Sequence, residues 1–160
     1  MNAGFFPEEG KYNRTACVRC FTQFTLKEAV RHAWRCPNDG GIIKKGVCDR
    51  ARELSTGDIL PRPPYLHMVP LGQIIQTVEG VSSPHTKKCR AVYDAFIAAF
   101  ENEITVLTST PVAEIRAVHP KVADAIDALR NGRVTLHAGG GGKYGTFSYY
   151  SVEHNKYDQS

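Results

Sequence analysis

Apolar residues recur at helical spacing along one long stretch of the chain, from Leu71 to about Arg130. Leu71, Ile74, Ile75 and Val78 mark a first helix by their three- and four-residue intervals. Val92, Phe96, Ile97 and Phe100 mark a second helix. Val112, Ile115 and Val118 mark a third, starting near Pro111. Val122, Ala125, Ile126 and Leu129 mark a fourth, opening after His119-Pro120 and stopping at Asn131-Gly132. The segment between Phe100 and Pro111 reads as a linker. Beyond Gly132 the apolar period shortens to that of a strand: Arg133-Val134-Thr135-Leu136-His137, the glycines Gly139 to Gly142, then Tyr144 and Phe147-Ser148-Tyr149-Tyr150. This predicts a β-hairpin over residues 133–152 around a flexible glycine loop. Residues 153–160 are expected to fray.

The first third of the chain follows no such period. Residues 1–16, with Gly4, Pro7 and Gly10, read as a short strand and a turn. Thr25-Leu26-Lys27-Glu28 is a capping box and predicts a helix running to about Trp34. Ile42 to Val47 is a short strand candidate. The stretch Ser55 to Pro70 holds Gly57, Pro61, Pro63, Pro64 and Pro70 and reads as an ordered linker, since proline pre-sets the backbone and removes donors.

Cysteine spacing gives the unpatterned third its chemistry. Cys17-Val18-Arg19-Cys20 and Cys36-Pro37-Asn38-Asp39-Gly40-Gly41 are two knuckles separated by a helix-sized insert, a common frame for a structural zinc. Cys17, Cys20 and Cys36 supply three ligands. The fourth is Cys48, Asp39 or His32; the softer thiolate of Cys48 is favoured, with Asp39 close behind. Trp34, Phe21 and Phe24 are expected to build a small core around the metal. The fold class is therefore α+β: a zinc-binding module over 1–57, a proline-rich linker over 58–70, a helical domain over 71–132 and a β-hairpin.

Bulk properties narrow the setting. At 160 residues the chain allows one ordinary domain or two small ones. Its hydrophobic content is 42%, and no apolar run is long enough to span a bilayer. The first residues carry no basic or apolar signal region, so a cytoplasmic or nucleoid-associated protein is expected. A net charge of +4 permits nucleic-acid binding without requiring it.

Ile74 to Lys88 resembles a helix-hairpin-helix DNA-binding element, a helix closed by a glycine turn before a basic helix start. Open backbone N–H groups at such a start bind phosphate oxygens. Gly80, Val81, Ser82, Thr86, Lys87 and Lys88 are the DNA-binding candidates. Val118 to Ala123 resembles a second hairpin without the glycine and reads as architectural. Arg50, beside the metal module, and Lys143 and Tyr144, beside the glycine run, are further DNA-binding candidates.

Taken in order, these pieces resemble the C-terminal half of the endonuclease Q family. The matching stretches are Phe5-Phe6-Pro7-Glu8-Glu9-Gly10-Lys11-Tyr12, Cys20, Cys36-Pro37, Gly46-Val47, Arg50, Glu53-Leu54, Pro63-Pro64-Tyr65, Val69-Pro70-Leu71, Ile74-Ile75, Phe100, Glu103, Gly132 and Tyr144-Gly145. They cover nearly the whole chain, and Phe5 to Tyr12 is the most specific. The resemblance implies a DNA-repair nuclease that cuts 5′ of deaminated bases such as uracil and hypoxanthine, flipped out of the duplex. Its catalytic polymerase-and-histidinol-phosphatase domain would precede Phe5. Asn13 and Cys17 stand where the family tends to have histidines, and Asp39 replaces a knuckle cysteine. The expectation is a zinc module that binds double-stranded DNA and does not cut it alone. The alternatives are a subunit of a split metal-dependent endonuclease, and a protein-interaction module or inhibitor of a full-length homologue.

Overall fold

A computed structural model describes residues 2–57 and 65–150. Residues 58–64 of the expected linker, residues 151 and 152 of the expected hairpin and the expected tail at 153–160 lie outside the described residues. The chain divides into two compact units: residues 1–67 with 136–148, and residues 68–135 with 149–160.

In the first unit, β1 (Asn2–Phe5) pairs with β4 (Tyr65–Met68), whose last residue belongs to the second unit. A 3-10 turn follows β1 at Pro7–Glu9. β2 (Ala16–Cys17) runs antiparallel to β3 (Ile43–Lys44), with Ala16 opposite Lys44 and Cys17 opposite Ile43. Between them lies α1 (Leu26–Arg31), opened by the expected capping box: Glu28 N donates to Thr25 Oγ1 at 3.3 Å, and Thr25 N to Glu28 Oε2 at 2.7 Å. The helix stops short of Trp34. Ala33 and Trp34 take φ of +48° and +59°, in a left-handed region where no helix continues. β3 is also shorter than expected, because Gly46 already caps α2 (Val47–Leu54). Buried Thr15 ties that junction, accepting from Gly46 N at 2.9 Å and donating to Asp49 Oδ2 at 2.6 Å. The core is small: Cys17, Ala29, Cys36 and Ile43, with Phe24 and Trp34 packed against it. Phe21 is not part of it; it is 42% exposed.

The glycine run is not a flexible loop. Gly140 and Lys143 exchange backbone hydrogen bonds of 3.0 and 3.1 Å around Gly141 and Gly142. Both central residues have positive φ, +65° and +110°, as a tight hairpin turn of the primed type demands. A side chain on Gly141 would collide with the carbonyl of Cys17, and one on Gly145 with that of Glu8.

The second unit holds five helices among the described residues: α3 (Leu71–Glu79), α4 (Lys87–Phe100), α5 (Glu103–Thr108), α6 (Val112–Val118) and α7 (Pro120–Arg130). The expected linker after Phe100 is therefore partly helical. Glu101, at φ +69°, ends α4, and Asn102 Oδ1 accepts from Thr105 N at 2.9 Å to start α5. Helix α3 packs on α4 and α7, and α6 on α7, around Leu71, Ile74, Ile75, Phe96, Ile115, Val122 and Ile126. His119 joins α6 to α7. Its Nδ1 accepts from Val122 N at 3.3 Å, so its Nε2 carries the proton and donates to Glu79 Oε1 at 2.9 Å. The closing hairpin is β5 (Val134–His137) and β6 (Thr146–Tyr149).

Candidate metal centre

Two tight turns and the β2–β3 ladder bring three thiols and one carboxylate together. Cys17 Sγ, Cys20 Sγ, Cys36 Sγ and a carboxylate oxygen of Asp39 all lie within 4.8 Å of one another. Cys20 Sγ stands 3.6 Å from Cys36 Sγ, and Cys17 Sγ stands 3.4 Å from Asp39 Oδ1. A tetrahedral zinc with bonds of about 2.3 Å to sulfur and about 2.1 Å to oxygen separates its sulfurs by about 3.8 Å and a sulfur from an oxygen by about 3.6 Å. The donor set fits a structural zinc.

Backbone amides hold these donors in place. Arg19 N donates to Cys17 Sγ at 3.3 Å, and Gly41 N to Asp39 Oδ1 at 2.8 Å. The Gly41 bond keeps the Asp39 carboxyl below its ordinary range, so it is an anion ready to ligate. The Thr22 hydroxyl at 3.1 Å draws the Cys20 thiol down. Burial pushes Cys36 up to about 11; a zinc held by Cys17, Cys20, Cys36 and Asp39 would favour its thiolate form. Gly41 has no substitute here: a Cβ would sit 2.7 Å from Cys17 Sγ and 2.9 Å from Asp39 Oδ1.

The favoured fourth ligand is corrected. Cys48 lies in the first turn of α2, where its N donates to Asn13 O at 3.0 Å, and it is not in the cluster. The strand expected to fold it back ends at Lys44, and the helix start at Gly46 carries the chain elsewhere. His32 caps α1 with its ring edge against Phe24, also outside the cluster.

The sequence and the overall fold have counterparts among known proteins. Residues 70–133 match the family model described as the MJ0043 C-terminal domain. The chain is 42% identical over 151 residues to the uncharacterized protein MJ0043 of Methanocaldococcus jannaschii, covering 92% of this chain and 19% of that one. It is 41% identical over 150 residues to YqxK of Bacillus subtilis, covering 90% of this chain and 34% of that one. The lesion-specific endonuclease Q of Pyrococcus furiosus superposes with a TM-score of 0.83 at 42% identity, over 96% of this chain and 40% of its own. An endonuclease Q solved with a 27-mer duplex carrying an abasic lesion at its active site superposes with a TM-score of 0.86 at 41% identity, over 96% and 41%. The chain is similar in sequence and in fold to a part of endonuclease Q. It spans roughly two fifths of the endonuclease Q chains and less of the two curated relatives.

The other site candidates fare unequally. Gly80 closes α3 in a left-handed conformation, φ +64°, and Val81 N donates back to Gln76 O at 3.2 Å. Thr86 caps α4 by accepting from Cys89 N at 3.3 Å. Ser82 and Lys87 are exposed beside them, so the hairpin has the expected form. Lys88 is engaged: its ammonium pairs with Glu79, whose side chain is 9% exposed. Arg50 pairs with Glu53 at 3.0 Å, which takes Lys45 as well. Lys143 and Tyr144 are exposed at the edge of the glycine turn. Lys11, Tyr12 and Lys44, which no spacing in the sequence marks, stand beside them.

Proposed function

We propose that this chain is a zinc-stiffened DNA-binding module of a lesion-directed repair endonuclease, and that it grips double-stranded DNA without cutting it alone. The observation that carries this reading is the superposition of 96% of the chain on an endonuclease Q bound to a lesion-containing duplex. The helix start at Thr86-Lys87 adds a phosphate-binding element of the right chemistry. Deaminated bases, uracil and hypoxanthine, are the damage class it serves. Cleavage comes from a nuclease domain outside these 160 residues, on the same polypeptide or on a separate subunit. No helix among the described residues is long and apolar enough to cross a membrane. A DNA-binding role is in keeping with a cytoplasmic or nucleoid-associated module.

The test is a binding and cleavage assay on duplexes carrying one deoxyuridine, one deoxyinosine or one abasic site, beside an intact control. Tighter binding of a damaged duplex, uncut, with affinity falling steeply as salt rises, is the expected result. A cut beside the lesion would place an active site within this chain, and no binding to any duplex would overturn the reading. Co-purification of a metal-dependent nuclease with the tagged chain would identify a separate catalytic subunit.

A further inference from the structure

The tripeptide Gly-Lys-Tyr occurs twice, at Gly10-Lys11-Tyr12 and at Gly142-Lys143-Tyr144, and the fold brings the two copies together. Gly142 N donates to Lys11 O at 2.9 Å and Gly145 N to Glu9 O at 3.0 Å, so the Lys143-Tyr144 tip is pinned on both sides. Lys11 Nζ lies 5.5 Å from the Tyr12 ring and 5.7 Å from the Tyr144 ring. Lys44 Nζ, from β3, lies 4.3 Å from the Tyr12 ring. Tyr144 remains 67% exposed. Among the described residues, Lys11, Lys44 and Lys143 enter no ion pair, whereas Lys45, next along the chain after β3, is neutralised by Glu53.

We propose that this paired surface is a second nucleic-acid site, built for an unpaired nucleotide of a DNA strand. The base stacks on the open face of Tyr144, and the flanking phosphates lie against Lys11, Lys44 and Lys143. Rings interleaved with cations are how proteins hold unstacked strands, since every base offers a π-face and every phosphate a charge. An acidic polypeptide would use the lysines but leave the ring without a role. The glycine-walled turn keeps Tyr144 in place before binding, so little ordering entropy is lost when the strand docks. The inference rests on the DNA-binding reading above and adds where an unpaired nucleotide sits.

The experiment titrates the zinc-loaded chain into two labelled duplexes, one fully paired and one with three unpaired thymidines. Tyr144→Ala should weaken binding to the bulged duplex by about tenfold while changing the paired one by less than about twofold; Tyr144→Phe should retain binding. Replacing Lys11, Lys44 and Lys143 together by Gln should lower the salt dependence on the bulged duplex by roughly 2, at about 0.7 for each phosphate no longer neutralised. All four side chains are at the surface or next to it, and unchanged zinc content verifies that the variants fold. Wild-type affinity of Tyr144→Ala for both duplexes would overturn the inference alone. Displacement of bulged DNA by poly-glutamate as readily as by oligothymidylate would overturn it in favour of an acidic protein. Failure of the wild-type chain to bind either duplex would overturn this inference together with the function it rests on.

Discussion

Around the cysteine cluster the buried apolar side chains are few and small, Cys17, Ala29, Cys36 and Ile43, whereas the helical unit buries Leu71, Ile74, Ile75, Phe96, Ile115 and Ile126. Each large aliphatic or aromatic side chain buried contributes about 1.5–3 kcal/mol. The helical unit therefore has an apolar core that needs no metal. The first unit has two-residue strands, a six-residue helix and donors converging on one point. A structural zinc in a small module contributes about 10–16 kcal/mol of apparent binding energy near neutral pH, which replaces the missing core. One chain thus uses two ways of fixing a backbone, and they should fail under different conditions.

Removing the metal is the strongest way to separate them. A chelator should abolish amide-exchange protection across residues 15–43 and leave that of residues 71–130 intact. Asp39→Ala should lower zinc retention and Cys48→Ser should not; loss with Cys48→Ser but not with Asp39→Ala would return the fourth position to Cys48, and equal retention by both would mean that neither side chain is a required ligand.

The next effect belongs to the helical unit alone. The Arg130 guanidinium donates to the carbonyls of Val106 at 2.8 Å, Leu107 at 3.1 Å and Thr110 at 2.6 Å, closing the open end of α5. Arg130→Ala leaves those acceptors bare and should cost about 2–3 kcal/mol, read as a lower urea midpoint of the helical circular dichroism at constant zinc content. An unchanged midpoint would mean that α5 is held by its apolar face alone.

The smallest effect is a difference of sign with pH. Burial lifts Glu9, in the first unit, to about 7, and its Oε1 finds no hydrogen-bond partner among the described residues. Its folded pKa is raised, so its contribution is fully present below about 4.5, the ordinary value, and is lost as pH rises through about 7. Glu79, in the helical unit, is held below the ordinary range by its hydrogen bond to Lys88. Its contribution is present above 4.5 and is lost as pH falls through the depressed value. Glu9→Gln should flatten the pH profile of the first unit between about 4.5 and 7 at fixed zinc loading; Glu79→Gln should flatten the acid limb of the second. Urea unfolding from below pH 4.5 to above about 7 checks both, and unaltered profiles would contradict the assignments.

Legibility in the sequence followed the same division. Where burial is periodic, as along α3, α4, α6 and α7, spacing located the helices, because each turn must present an apolar side chain to the core. Helix α5 escaped because six residues with Val106 as the fully buried apolar position carry too little period. The capping box at Thr25–Glu28 was readable since it is local chemistry. The end of α1 was not, because Ala33 and Trp34 adopt positive φ, which no side-chain pattern announces. Three of the cluster's donors were legible from the knuckles. The choice of Asp39 over Cys48 depends on where Gly46 turns the chain, and ligand softness gave the wrong order. Pairing of the two Gly-Lys-Tyr copies is a long-range association made by backbone hydrogen bonds, invisible to any window along the sequence.

The coupling of metal to DNA binding is tested most directly by a single anisotropy titration of an abasic-site duplex, with the zinc-loaded chain and with the same chain after chelation. The loaded chain should bind in a salt-dependent way and lose most of that binding after chelation, because the unit carrying Lys11, Lys44, Lys143 and Tyr144 unfolds without its metal. Equal binding in both states, or none in either, would refute that coupling.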